Sequence, residues 1–151
     1  MYDINKLKQL REETGISFSL CKKALEQSKN DLEKAKKLLS EWGAEKVKDK
    51  ASRSTSQGAI FAYVHHNKKV ASLVELLCET DFVANNADFQ KLGTELAMQV
   101  ASIAPQDVDE LQKQEYIRDP KKKVEDLIRE AVLKLGENIK IGKFVRWALG
   151  T

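Results

Sequence analysis

Apolar residues in the first third of the chain recur at three- and four-residue intervals, the period of a helix with one buried face. Ile4, Leu7 and Leu10 make the first such stripe, with Asp3 placed to cap its start and Gly15 placed to end it in a left-handed turn. Ser17 reads as the N-cap of a second helix whose inner positions are Cys21, Ala24, Leu25 and Ser28. Asn30-x-x-Glu33 has the form of a capping box for a third helix, with Leu32, Ala35, Leu38, Leu39 and Trp42 inward and Gly43 as its stop. Helices joined by turns this short fold back on one another, so residues 1–44 are predicted to form a three-helix bundle. Residues 45–57 have no apolar period beyond Val47, become Lys-rich and then Ser/Thr/Gln/Gly-rich, and read as a linker, either helical at its start or irregular throughout.

From residue 58 the pattern changes. The stretch AIFAYVHHNKKVASLVELLC (59–78) holds two runs rich in β-branched and aromatic residues around Asn67-Lys68, which predicts a β-hairpin. Asn86 can cap a helix carrying Phe89, Leu92, Leu96, Val100 and Ile103, with Pro105 just past its end, and Asp107–Gln114 could add a turn or two. A further helix is written in Val124, Leu127, Ile128, Ala131, Val132 and Leu135, with Gly136 beyond its last turn. The tail IKIGKFVRWAL, through Ile139, Ile141, Phe144, Val145 and Trp147, predicts a third strand. Residues 58–151 should therefore be an α+β core: a three-stranded antiparallel sheet packed with helices.

Composition narrows the class. A chain of 151 residues with 42% hydrophobic and 32% charged residues, 2 Pro and 7 Gly is long enough to bury a core and is neither disordered nor fibrous. Its net charge of +3 is too small to make nucleic-acid binding the default. Cys21 and Cys78 belong to no C-x-x-C pair, so neither a zinc site nor a disulfide framework is indicated, and two free thiols fit a reducing compartment. The helical pattern starts by residue 3, leaving no room for a signal peptide, and no apolar run is long enough for a membrane span. The expected location is the cytoplasm, with no membrane association.

Most catalytic chemistries lack their residues. His65 and His66 are the only histidines, and neighbours on a strand face opposite sides, so a shared metal is not expected. No Ser/His/Asp or Cys/His set can be nominated, and neither G-x-x-x-x-G-K-[ST] nor G-x-G-x-x-G occurs. No cofactor is expected, and any nucleotide chemistry would take place on a partner. Lys46 to Arg53 could touch RNA but lacks the interleaved aromatics of a stacking platform, so a solvated linker is the plainer reading.

Two segments suit partner binding. CETDFVANN (78–86) leaves an apolar strand and enters a helix, which puts Asp81 and Phe82 on a connecting loop. There a Phe-Val pair either folds back over the core or presents Phe82 as an anchor for a partner's pocket, with Asp81 as a charged acceptor beside it. At Thr14-Gly15-Ile16-Ser17-Phe18, Ile16 and Phe18 flank a helix start, where apolar side chains either staple the turn or stand exposed. Spacing leaves both pairs of alternatives open.

Several stretches, in order, resemble elongation factor Ts, the bacterial guanine-nucleotide exchange factor for elongation factor Tu. LREETG followed by CKKALEQSKNDLEKAKKLL resembles its UBA-like helical N-terminal domain, CETDFVANNADF is similar to its T-D-F-V signature, and LGENIKIGKF is similar to its G-E-N-I block. The resemblance implies that the bundle docks on the GTPase domain of elongation factor Tu, with Arg11, Ile16, Phe18 and Lys22 at the docking positions. It also implies that Thr80, Asp81, Phe82 and Val83 disturb the magnesium and phosphate site so that GDP leaves, without chemical catalysis. Where the family commonly reads T-G-A-G-M-M-D-C-K-K, this chain reads T-G-I-S-F-S-L-C-K-K. Longer members carry a second core subdomain and a coiled-coil insertion, which this chain is too short to hold, and short members pair, so a homodimer is expected. The alternative is a UBA-like partner-binding module without exchange activity.

Overall fold

The computed structural model describes residues 1–151. Helix α1 (Ile4–Thr14) starts at Asp3, whose carboxylate accepts from the N–H groups of Asn5 and Lys6, and ends at Gly15 in the left-handed region (φ 69°). Helix α2 (Phe18–Gln27) is capped by Ser17, which accepts from Leu20 N–H. These three readings agree with the sequence. The third does not in its details: α3 (Leu32–Lys50) is capped by Asp31, whose carboxylate accepts from Lys34 N–H. Asn30 instead sits in the left-handed region (φ 65°), where its side chain accepts from Asp3 N–H at 2.6 Å and donates to the Met1 carbonyl.

The predicted stop at Gly43 is also corrected. Helix α3 continues through Gly43 to Lys50, taking half of the predicted linker with it. The reason lies across the chain: a Cβ at Gly43 would stand 2.9 Å from the Cβ of Arg129 and 3.1 Å from its carbonyl, so the glycine is the place where another helix crosses closely.

Strands β1 (Gln57–Val64) and β2 (Val70–Cys78) form the predicted hairpin, and β5 (Lys140–Ala148) pairs antiparallel with the other side of β2, giving the order β1-β2-β5. The inner face presents Phe61, Val74, Leu76, Cys78 and Ile141 to helix α5 (Ala87–Ile103) and, beyond it, α7 (Val124–Leu135). Between these helices lie α6 (Val108–Lys113) and a short ribbon, β3 (Glu115–Tyr116) with β4 (Asp119–Lys123), which the sequence reading missed. The ribbon's strand DPKKK has no β-forming residues. It is held from inside by the fully buried Gln99, which donates to the Glu115 carbonyl and accepts from Ile117 N–H.

Two apolar clusters result. One joins the sheet to α5, α6 and α7; the other, Leu7, Leu10, Ile16, Cys21, Ala24, Leu25, Ala35 and Leu39, fills the bundle. Helix α3 serves both, since its first half lines the bundle while Val47 packs on the core, and Leu133 of α7 reaches back onto the bundle cluster.

The sheet's outer face is bare. Ile60, Val64, Leu73, Val145 and Trp147 are all exposed there, with Leu73 paired between Ala62 and Val145 and Ala71 between Val64 and Trp147.

Candidate functional site

The segment after β2 is a helical turn rather than an open loop. Helix α4 (Asp81–Ala84) is capped by Thr80, whose hydroxyl accepts from Val83 N–H at 3.3 Å. A turn with this start points neighbouring side chains in different directions, and it divides the Phe-Val pair between core and solvent. Val83 and Ala84 go into the core, while Phe82 is 84% exposed and Asp81 is also exposed. Asn85 secures the turn by donating its amide to the Asp81 carbonyl.

What fixes this turn comes from far away in sequence. Glu137, in the connection between α7 and β5, accepts from the N–H groups of Glu79 and Thr80 at 3.0 Å each with one carboxylate oxygen, and from the Thr80 hydroxyl at 2.6 Å with the other. Gly136 makes that reach possible by ending α7 in the left-handed region (φ 75°). The next residue works in reverse: Asn138 N–H donates to the Glu79 carboxylate at 2.6 Å, and the Asn138 side chain, itself buried, donates to the Arg53 carbonyl at 2.9 Å. In the sequence the G-E-N-I block is marked only by its family likeness. Its contact with the T-D-F-V turn spans 57 positions, which no local spacing reveals.

Beneath the turn, Cys78 donates its thiol to the Thr80 carbonyl at 3.2 Å. Burial, reinforced by the carboxylates of Glu137, Asp81 and Glu79, pushes its pKa up, so it stays a protonated thiol packed under the turn.

At the bundle corner the structure separates two residues that the sequence treated together. Ile16 is buried in the bundle cluster and stands among the staples, not among exposed contacts. Phe18 is 44% exposed, with its ring edge-on to Tyr2 at 6.1 Å, and the Lys22 ammonium lies 5.2 Å from the same Tyr2 ring. Ile4, Leu7, Gly15, Ile16 and Phe18 line a groove there together with the charged Lys8, Arg11 and Glu12.

The histidines are corrected too. They lie in the hairpin turn beyond β1, where their rings approach to 4.1 Å instead of facing opposite sides, and His65 Nδ1 is bonded to the Tyr63 hydroxyl. No group of three or more His, Cys, Asp or Glu side chains is arranged to hold a metal, and no helix is long and apolar enough to cross a membrane.

Comparison with known proteins bears on both halves. The family model "Elongation factor TS" matches residues 79–150, and the model "Elongation factor Ts, mitochondrial, N-terminal" matches residues 2–46. The chain is 40% identical to elongation factor Ts of Coprothermobacter proteolyticus over 189 aligned residues, covering 95% of this chain and 96% of that protein. The chain belongs to the elongation factor Ts family. Elongation factor Ts of Thermosipho melanesiensis (39% identical, 95% and 96% covered) and of Thermotoga maritima (37%, 95% and 94%) are similar to it in the same way. This family membership makes the chain a translation elongation factor. Alignments of 189 positions exceed the 151 residues of this chain, so these relatives carry residues with no counterpart here.

Proposed function

We propose that this chain binds elongation factor Tu, in its GDP-bound and nucleotide-free forms, and promotes GDP release in the cytoplasm by disturbing the magnesium and phosphate site. The single observation that carries this reading is Phe82: a large aromatic ring left in solvent on a turn whose backbone is tied at both ends. A rigid aromatic anchor loses little conformational freedom when it enters a pocket, which suits it to act as a wedge. Asp81, exposed beside it, supplies a charged acceptor for backbone or side-chain groups displaced in the partner.

Exchange of this kind requires no acid, base or cofactor. It requires a coupling free energy: a protein that binds the nucleotide-free partner more tightly than the GDP-bound one weakens GDP by the same factor. A coupling of about 4 kcal/mol is about a thousandfold in GDP affinity. The bundle would provide holding contacts through Arg11, Phe18 and Lys22, with Ile16 shaping the groove floor from inside, while Thr80 and Val83 set the turn and Asp81 and Phe82 act.

The bare outer face of the sheet supports a homodimer. Its exposed Ile60, Val64, Leu73, Val145 and Trp147 form an apolar patch on one sheet face, which a second copy would cover with the same residues about a two-fold axis.

The test is stopped-flow release of a fluorescent GDP analogue from elongation factor Tu at fixed magnesium. Acceleration that Phe82→Ala reduces by at least ~2 kcal/mol in coupling supports the wedge. Binding with no acceleration favours a UBA-like docking module, a reading that the exposed Phe18 corner alone would satisfy.

A further inference from the structure

We propose that Glu137 is a positioning residue for exchange: its carboxylate sets the orientation in which α4 presents Phe82. This inference rests on the exchange reading above and deepens it.

The bonds at Glu137 converge on one short segment. A carboxylate accepts at both oxygens, and here all three donors belong to the two residues that enter the turn, Glu79 N–H, Thr80 N–H and the Thr80 hydroxyl. Glu79 and Thr80 lie just past the last paired residue of β2, Cys78, so their N–H groups have left the sheet ladder. The carboxylate takes the place of the missing strand partner. Charge-assisted bonds of this kind are stronger than neutral ones and more directional.

The third bond has a further effect. The Thr80 hydroxyl has one proton, and giving it to Glu137 Oε2 at 2.6 Å turns an oxygen lone pair toward Val83 N–H, the bond that starts the helical turn. Without that acceptor the hydroxyl can rotate, and the cap competes with water. Phe82 lies between the two residues so joined, Thr80 and Val83, and its own side chain has no core contact to hold it, being 84% exposed. Its direction is therefore inherited from the backbone beneath it.

The same connection also reaches the other half of the molecule. Asn138 holds the Arg53 carbonyl, and the Arg53 guanidinium lies 3.6 Å from the Glu79 carboxylate. Arg53 follows α3 by three residues, so the α7–β5 connection ties the turn carrying Phe82 to the helix that begins in the bundle. Two contact surfaces are thereby held at a fixed separation, which a wedge acting against a docked partner requires.

The experiment compares the unaltered chain, Glu137→Ala, Phe82→Ala and the double variant in release of a fluorescent GDP analogue from elongation factor Tu, across a range of exchange-factor concentrations. Glu137→Ala should lower the maximal release rate about tenfold, the effect expected for losing charge-assisted bonds, while the half-saturating concentration shifts less than about twofold. The double variant should be no slower than Phe82→Ala alone, because the carboxylate acts only through that ring. A role confined to stability would instead reduce the concentration of folded protein, raising the half-saturating concentration while leaving the maximal rate unchanged, and would do so equally in the Phe82→Ala background.

If Glu137→Ala fails to fold, Glu137→Gln is read in the same way: it keeps the volume and one acceptor oxygen but turns an amide NH2 toward the Thr80 hydroxyl. Acceleration by the unaltered chain that survives in full in the folded Glu137 variant would overturn the positioning role alone. No acceleration by the unaltered chain would overturn the exchange reading, and this inference with it.

Discussion

Gly43 of α3 crosses Arg129 of α7 so closely that a Cβ on the glycine would stand 2.9 Å from the Cβ of the arginine. Bundle and core meet there on two helix backbones instead of through long side chains. Gly43→Leu must push the helices apart, and overpacking of this kind costs ~2 kcal/mol even after the gain in helix propensity. Urea denaturation should show that loss, whereas Glu41→Leu, on an exposed position of the same helix, should change stability by less than ~0.5 kcal/mol.

Phe18 is predicted to act in docking and not in the wedge. Phe18→Ala should raise the concentration of this chain needed for half-maximal GDP release about tenfold, as loss of a partly buried aromatic contact does, and leave the maximal rate within about twofold. Titrating the variant in the stopped-flow assay separates the two quantities, and an unchanged half-saturation point would remove Phe18 from the docking surface.

Trp147 stands 75% exposed at one end of the outer sheet face, paired across from Ala71. If two copies meet there, Trp147→Lys puts an unpaired charge into the apolar contact on each copy and should convert a dimer to a monomer at micromolar concentration, an effect of at least ~2 kcal/mol. Light scattering after size exclusion reads the mass directly. A monomer in the unaltered chain would refute the pairing.

Glu13 of α1 and Lys36 of α3 are joined at 2.6 Å, and the Lys36 hydrogen bond, helped by Gln9, holds the Glu13 carboxyl below its ordinary pKa. A carboxyl whose folded pKa is depressed stabilises the fold above its unfolded pKa of about 4.3 and loses that contribution as pH falls through the folded value. Glu13→Gln should therefore be less stable than the unaltered chain at neutral pH and converge with it in acid. Thermal melts between neutral and acid pH read the difference, and a constant gap at every pH would exclude the linkage.

Local features of the fold were legible because they are written locally. Asp3, Ser17 and Asn86 cap helices where their spacing says they should, and Gly15 and Gly136 end them with positive φ. Gly43 failed as a stop because the same residue type also permits close crossing, and only the position of α7 decides between the two. The β3–β4 ribbon was hidden because its lysines owe their strand to the buried amide of Gln99 rather than to propensity. At the candidate site, the exposed Phe82 could be suspected from a lone aromatic among polar residues, yet Glu137 could not be found, since its partners lie 57 and 58 positions away.

The continuous run of α3 makes the tether between the two halves sensitive to phase. A flexible tether would absorb an inserted alanine at little cost. In a helix, each added residue turns everything beyond it by about 100° and advances it by about 1.5 Å. One alanine inserted after Ala44 would carry Val47 off the core and swing Arg53 away from Asn138, whereas the same insertion at Ser54, beyond the helix, would leave both in place. The chain's two surfaces are thus spaced by a ruler graduated in helical turns, and its length can change without loss of alignment only in steps of whole turns.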